Sequence, residues 1–511
     1  MKKIRLTPLA AAIALAGCSI SPNNLTTSEM QQINIADRAS AMENVVPFGA
    51  VLTLDEAIAR ALKYNLDQRV KNLEQSLRAG ELKAGKYDML PKLMAKAGYD
   101  WRDNFSHRWD GTYVDANTTP PAEISTTFPK VSVDPEHGTS SLALSWNLLD
   151  FGASYYTAKQ NADRLLIANE KRRTAMHTLV QNVRSAYWRA LAAESLAGRV
   201  RTTINDAEKA LNESQKLSGE LVSAPDQSLR YQRNLLENLR LLESVERELA
   251  SSRIELTKLI GSLPGSRFRL VEPAADLRPL KVGLDKMEER ALLQNAGLRE
   301  QFFNARIAAE DTRKAILKLL PGISFDYGYY SDDDRYLVNN EWSAAGVSIS
   351  YNLFNLLSAK GRREAAKKNV ALAEARRMAL QMAVVAQVHL ASHQYTDALR
   401  QFRRADQIFN VDKRLGEIVR GKFESNTTSE QAKIAANVTT ILSELRRYQA
   451  MAKFQEAVGQ LQSTLGMEPV IGSLDEIELG DLKNQVNDWL SAGISGSSIV
   501  VLGVVDKDKD S

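Results

Sequence analysis

One stretch of this chain is written twice. Leu54-Asp55, Arg60-Ala61-Leu62 and Asn65 recur as Leu284-Asp285, Arg290-Ala291-Leu292 and Asn295, and Leu90-Pro91 recurs as Leu320-Pro321, all 230 residues further on. Later, Ser145-Trp146-Asn147-Leu148 recurs as Ser350-Tyr351-Asn352-Leu353, now 205 residues on, so the first copy holds a longer insertion between the two anchors. Repetition on this scale constrains a fold more than composition does, because each copy must build the same elements and pack them against its neighbour.

Each copy reads as helix, strand, loop, strand, very long helix, tight tip and helix. In the first copy the helices are expected at roughly 53–90, 152–218 and 226–263; in the second, at roughly 284–320, 355–420 and 428–466. No proline occurs from Gly322 to Glu468, as a pair of uninterrupted long helices requires. At 1.5 Å per residue such helices reach on the order of 100 Å, so they must pack along their length. Leu235, Leu242, Leu249, Leu256 and Leu263 repeat every seventh residue, and Ile434, Val438, Ile441, Leu445 and Tyr448 follow a 4, 3, 4, 3 rhythm; both are coiled-coil seams. Small residues fall on several faces between Ala365 and Ala391, which favours a bundle or closed ring over a two-helix coil.

Between the helices the period changes to two. Leu142, Leu144, Trp146 and Leu148 alternate with Ser141, Ala143, Ser145 and Asn147; Val347, Ile349, Tyr351 and Leu353 alternate with Gly346, Ser348, Ser350 and Asn352. Their partners are Leu93 to Trp101, and Ile323, Phe325, Tyr327 and Tyr329. Alternation, aromatic ends and a length near ten residues suit strands facing lipid on one side, although a half-buried soluble sheet gives the same pattern.

The N-terminus selects between these. Lys2, Lys3 and Arg5 precede a short apolar run from Leu6 to Ala16, the layout of an export signal, and Leu15-Ala16-Gly17-Cys18 has small residues before a cysteine. Cys18 is the only cysteine, so no disulfide forms within the chain, and its thiol is read as the site of a covalent diacylglycerol and N-acyl (palmitate-type) anchor. Lys2, Lys3 and Arg5 account for three of the four formal positive charges, leaving +1 from Cys18 onward; nothing points to nucleic acid. No run approaches 18 apolar residues, so a bilayer can be crossed only by strands. Four strands cannot enclose a pore, and an open edge in lipid leaves backbone groups unpaired, so several chains must close one barrel; three give twelve strands.

No constellation of nucleophile, metal ligands or phosphate cradle is present, and the chain is read as non-enzymatic, without cofactor or metal. His389 and His393 lie one helical turn apart with no third ligand, and Asp332-Asp333-Asp334 lacks the spacing of a calcium loop.

Over roughly residues 50–468 the chain resembles the TolC-like outer-membrane efflux and secretion channels. The resemblance rests on Leu52-Thr53-Leu54-Asp55-Glu56-Ala57 opening the first helix, on the strand exits Asn147-Leu148 and Asn352-Leu353, on the tandem repeat and on the helix tips. It implies a mainly α chain with a small transmembrane β part: a homotrimer with a twelve-stranded barrel continuous with a long periplasmic α-helical barrel. It also implies a passive conduit whose tips meet a periplasmic adaptor and an inner-membrane transporter of the RND or ABC type. The family's glycine-centred tip motif is matched by Gly219-Glu220-Leu221 and Gly421-Lys422-Phe423, where a reversal with positive φ or a simple helix cap also suits glycine. Asp226 and Glu430 lie nearest the family's acidic periplasmic gate, while Thr427 stands where aspartate is common. Ser19 after the lipidated cysteine resembles lipoproteins sorted to the outer membrane.

The expected organisation is therefore a lipoprotein signal (1–17), a lipid-anchored segment (18–52), a first repeat (53–283; hairpin about 93–149, tip about 219–225) and a second repeat (284–468; hairpin about 323–354, tip about 421–428). A loose periplasmic tail (469–511) follows. The competing reading is a structural envelope lipoprotein whose coiled coils act as a scaffold. Substrate is not legible.

Overall fold

The computed structural model describes residues 24–108, 130–220, 225–263, 265–266, 268–274, 276–469 and 476–494. A surface helix, α1 (Thr27–Met42), is opened by a capping box between Thr26 and Glu29. The first half then runs β1 (Val51–Leu52), α2 (Leu54–Tyr64), α3 (Leu66–Gly85), β2 (Lys92–Trp101), β3 (Ser106–Arg108), β4 (Lys130–Val133), β5 (Glu136–Asn147), α4 (Leu148–Glu220) and α5 (Pro225–Leu259). The second half runs β6 (Arg269–Leu270), α6 (Leu284–Gln294), α7 (Ala296–Leu317), β7 (Gly322–Asp332), β8 (Glu341–Ser350), α8 (Phe354–Glu424) and α9 (Glu430–Thr464), followed by α10 (Leu479–Ala492).

The helices expected at 53–90 and 284–320 are each two helices, broken at Asn65 and Asn295. Both asparagines leave the helical region (φ −67°, ψ 126° and φ −61°, ψ 121°) and cap the helix that follows. Asn65 Oδ1 accepts the Gln68 N–H at 3.1 Å while its Nδ2 donates to the Leu259 carbonyl at 3.1 Å; Asn295 does the same with Leu298 N–H at 3.0 Å and the Thr464 carbonyl at 3.1 Å. Each asparagine thus satisfies orphan groups at two helix ends. Against each break stands a glycine with positive φ, Gly261 (+69°) and Gly466 (+61°), and a Cβ at Gly261 would lie 2.5 Å from the Tyr64 carbonyl oxygen. Only glycine permits both the turn and the approach.

α4 and α8, of 73 and 71 residues, span roughly 110 Å each. α3 and α7 pack along α4, α7 also along α8, and α5 and α9 complete the bundle with α4 and α8. Leu235, Leu242, Leu249 and Leu256 are buried, as are Ile434, Val438, Ile441, Leu445 and Tyr448. Leu263 is exposed instead, because α5 stops at Leu259 before the Gly261 turn. At the level of these turns, β1 pairs with β6 in parallel, and the buried Tyr187 hydroxyl lies 2.8 Å from the carbonyls of Leu52 and Val271. The tail is not loose over 479–492: α10 packs on α2, with Leu482 and Val486 buried.

β2, β5, β7 and β8 form one antiparallel sheet in that order, and β3 pairs with β4 as a short extension of its loop end. Leu148, Tyr351 and Leu353 lie outside the strands in which they were expected. Asn147 Oδ1 accepts the Leu149 and Asp150 N–H groups and Asn352 Oδ1 accepts that of Phe354, so each asparagine ends its strand and turns the chain into the long helix.

Candidate functional site

The sheet has two chemically different faces, because residues directly opposite in an antiparallel pair share a face. On one face Leu93 pairs with Leu144, Leu144 with Tyr327, Trp146 with Phe325, and Phe325 with Val347. Leu142 pairs with Tyr329, and Ile323 with Ile349. Leu142, Leu144, Phe325, Tyr327, Val347 and Ile349 are all exposed, Ile349 at 71 %. A continuous apolar band thus crosses four strands without any cover among the described residues. The opposite face carries Lys92, Lys96 and Asp100 on β2, Thr139, Ser141 and Ser145 on β5, Ser324, Asp326 and Asp332 on β7, and Ser348 and Ser350 on β8.

Tyrosine hydroxyls rim the apolar band at matching places: Tyr99 donates to Glu136 at 3.1 Å, and Tyr329 donates to Glu341. Beyond them, Asp332-Asp333-Asp334 ties the two hairpins together. Asp334 Oδ1 accepts the Asp134 and Tyr336 N–H groups at 3.0 Å, Asp333 accepts the Gly138 N–H, and Arg335 pairs with Asp134. The run is occupied as loop scaffolding. The Pro120-Pro121 region lies outside the described residues, as does Cys18.

At the other end of the helices the tips differ from expectation in one respect. Gly421 lies inside α8 with no positive φ; the left-handed residue of the reversal is Asn426 (φ +58°). The Gly421 carbonyl accepts the Ser425 N–H at 3.1 Å, and the Lys422 carbonyl accepts both the N–H and the hydroxyl of Thr427, at 2.7 and 2.9 Å. Helix termination here uses hydroxyl side chains, which leaves Gly421 open, with nothing within 4 Å of a Cβ placed on it. Lys422 is exposed, and Lys433 Nζ sits 4.7 Å above the Phe423 ring. Gly219 and Glu220 end α4, and Leu221 lies outside the described residues. Asp226 and Glu430 are exposed in the first turns of α5 and α9, and neither makes an ion pair among the described residues. Burial, with Glu430 and Glu213 close by, pushes the Tyr231 phenol up, so Glu430 faces the α4–α5 hairpin.

His389 bonds to Glu288 at 2.8 Å on an exposed helix face. Among the described residues no three metal-ligating side chains converge, and no helix is long and apolar enough to cross a membrane.

Two buried charged sites escaped sequence reasoning. Glu468 accepts hydrogen bonds from His177 at 3.1 Å and from both Nε and Nη2 of Arg173, joining the end of α9 to α4; Arg173 also reaches the Gln294 carbonyl at 3.1 Å. Burial alone would raise the Glu468 carboxyl, but these bonds more than offset it and hold it at about 2. Arg184 is buried with only glutamine partners. Neither has a local signal, since their partners lie 271 to 295 residues away in the sequence.

An extended two-faced sheet set on paired helices of this length is a distinctive architecture. The chain has the fold of the TolC-like channels. It matches the outer-membrane channel OprN with a TM-score of 0.62 at 16 % identity, covering 81 % of this chain and 90 % of that one. It matches the Campylobacter jejuni CmeC outer membrane channel with a TM-score of 0.62 at 13 % identity, over 92 % and 97 %. The open state of the Neisseria gonorrhoeae MtrE outer membrane channel matches with a TM-score of 0.59 at 15 % identity, over 81 % and 89 %. No protein-family model matches the sequence, and neither does any curated protein.

Proposed function

We propose that this chain is the outer-membrane channel of a tripartite export system: a homotrimer, anchored by lipid at Cys18, whose three sheets close one twelve-stranded barrel. The observation that carries the reading is the sheet itself. Its edge strands β2 and β8 have no partner among the described residues while one face carries a continuous apolar band, and in lipid such edges need pairing with another copy. Strands of 10 to 12 residues tilted by about 45° supply an apolar band of roughly 25 Å, the height of an outer-membrane barrel. Ile408, Val411, Leu415 and Ile418 leave an exposed apolar stripe along α8, which a neighbouring protomer would cover.

Matching element bounds at offsets of 230 and 205 support an internal duplication: α2 and α6 start at 54 and 284, α5 and α9 at 225 and 430. The tips around Gly219-Glu220-Leu221 and Gly421-Lys422-Phe423 dock the adaptor, and Asp226 and Glu430 line the gate. The protein supplies no energy; an inner-membrane RND or ABC transporter does so. Opening is a shift in helix packing, for which the existence of an open-state MtrE is a precedent in the same fold.

The test is single-channel conductance of the purified mature protein in a planar bilayer, with its mass in detergent. Discrete, mostly closed conductances from a three-chain particle are expected, with Asp226→Asn and Glu430→Gln raising the open fraction. A monomer or dimer that never conducts would overturn the channel and favour the envelope scaffold.

A further inference from the structure

A half-open cavity of about 840 Å³ lies where α4, α9, α10 and residues 271–274 and 276–278 meet, in the middle stretch of α4, away from both the sheet and the tips. Its volume is that of a site for a drug-sized molecule. Several charged groups line it, and all but one are neutralised. Asp55 pairs with Lys483 at 3.9 Å, Glu272 with Arg447 at 3.2 Å, and Asp276 with Arg278 at 2.7 Å.

The exception is Arg184, only 6 % exposed. Its Nε and Nη2 donate to Gln455 Oε1 at 3.0 and 2.7 Å and its Nη1 to Gln462 Oε1 at 2.8 Å, and no carboxylate among the described residues pairs with it. A guanidinium has five N–H donors, so two remain, one on each terminal nitrogen. Burial without a counter-charge pulls this guanidinium down to about 10, the direction expected of a cation held at a cost. Beside it in the cavity wall, Trp188 is 1 % exposed and its Nε1–H has no partner, an omission that buried indoles rarely show. The Trp489 ring lies 5.9 Å from the guanidinium, and its Nε1–H is unpartnered too. Val271, Leu277, Val458 and Leu490 supply apolar wall.

We propose that this cavity binds an amphiphilic organic anion, a carboxylate or sulfonate on an apolar body, with its charged group on Arg184 and the Trp188 indole N–H. The anion supplies the missing counter-charge and accepts the free donors, which a cation or a neutral molecule cannot do. Val271, Leu277, Val458 and Leu490 take the apolar body, which a bare inorganic anion lacks. Because the acidic wall residues are already paired, they repel the ligand less than their number suggests.

The experiment is isothermal titration of the full chain in lipid nanodiscs with 1-naphthoate, against 1-naphthalenemethanol as a neutral probe of the same shape. Saturable binding of one naphthoate per chain is expected, at least about tenfold tighter than the alcohol, since a charge-assisted bond to a buried guanidinium carries that much. Arg184→Gln should weaken naphthoate by about tenfold or more and leave the alcohol unchanged, and Trp188→Phe should weaken naphthoate about three- to tenfold. Equal affinities for the two probes, no saturable binding, or an Arg184→Gln chain that binds naphthoate like the parent would each overturn the proposal. Should Arg184→Gln fail to fold by circular dichroism, the two-probe comparison and Trp188→Phe decide the matter. None of these readouts depends on conductance, so the site stands or falls separately from the channel.

Discussion

Replacing Glu468 by Gln tests whether the junction between α9 and α4 is held by charge. The carboxyl is 21 % exposed and is held at about 2 against an ordinary value of 4.5. A difference of about 2.5 pH units corresponds to roughly 3 kcal/mol of preference for the charged form in the folded state. A folded-state value below the unfolded one gives stability that is complete above the unfolded value and lost as pH falls through the folded one. The advantage of the parent over Glu468→Gln is therefore about 3 kcal/mol at pH 7, roughly 1 to 1.5 kcal/mol at pH 3 and absent well below pH 2. For a chain this long, unfolding entropy makes about 3 kcal/mol a shift of roughly 3 °C in Tm. Thermal unfolding followed by circular dichroism at 222 nm, with parent and variant scanned at equal rates at pH 7, 5 and 3, reads the gap directly. A gap that is the same at pH 3 as at pH 7, or no gap at pH 7, would refute the assignment of the stabilisation to the ionised carboxylate.

Asn65→Ala and Asn295→Ala should each lower stability by about 1 to 2 kcal/mol, the loss of one cap and one carbonyl partner, and the double variant should approach their sum in thermal melts. Gly466→Ala meets both a positive φ and the Gln294 carbonyl, so it should cost more than about 2 kcal/mol and cut the yield of folded protein in detergent; Gly261→Ala should behave alike. Gly421→Ala, by contrast, sits in open helix and should raise stability by about 0.5 to 1 kcal/mol. A bulkier Gly421→Trp should keep that fold yet lose export in cells if the adaptor docks there, as a drug-susceptibility assay beside a native-mass measurement would reveal.

Much of this architecture was legible because its signals are local. Heptads marked α5 and α9, and alternation marked β5 and β8. What failed to read was decided by partners distant in sequence. Asn65 and Asn295 look like solvated residues inside a helical pattern, and become breaks only because Leu259 and Thr464 present carbonyls to them. Leu148 and Leu353 continue a strand alternation on paper, but Asn147 and Asn352 cap a helix first. At the tip, glycine seemed the natural left-handed residue, whereas Asn426 takes that conformation with the hydroxyls of Ser425 and Thr427 closing the helix end. α10 carried its own signal, Leu482, Val486 and Trp489 at helical spacing, hidden only by the glycine- and serine-rich sequence after it.

The two junctions also limit how the proposed gate can work. α5 and α9 are fastened at the ends away from the tips, where Asn65 and Asn295 bond to the carbonyls of Leu259 and Thr464 and where Gly261 and Gly466 pack so closely on the facing backbone that no side chain fits. Glu468 fastens the α9 end a second time, to Arg173 and His177 of α4. α4 and α8 have no such break and continue from the sheet into the tip region. A change at the tips that left the sheet undisturbed must therefore be taken up below these junctions, along the seams where α5 meets α4 and α9 meets α8. Those seams combine apolar side-chain packing with a few polar ties, such as Gln232 Nε2 to Ser214 Oγ at 3.4 Å and Thr440 Oγ1 to the Asp412 carbonyl at 3.2 Å, and such packing can shift between discrete arrangements. The clamps at Asn65, Asn295 and Glu468 then act as the fixed end of the moving part, so weakening them should lower stability before it alters the gate.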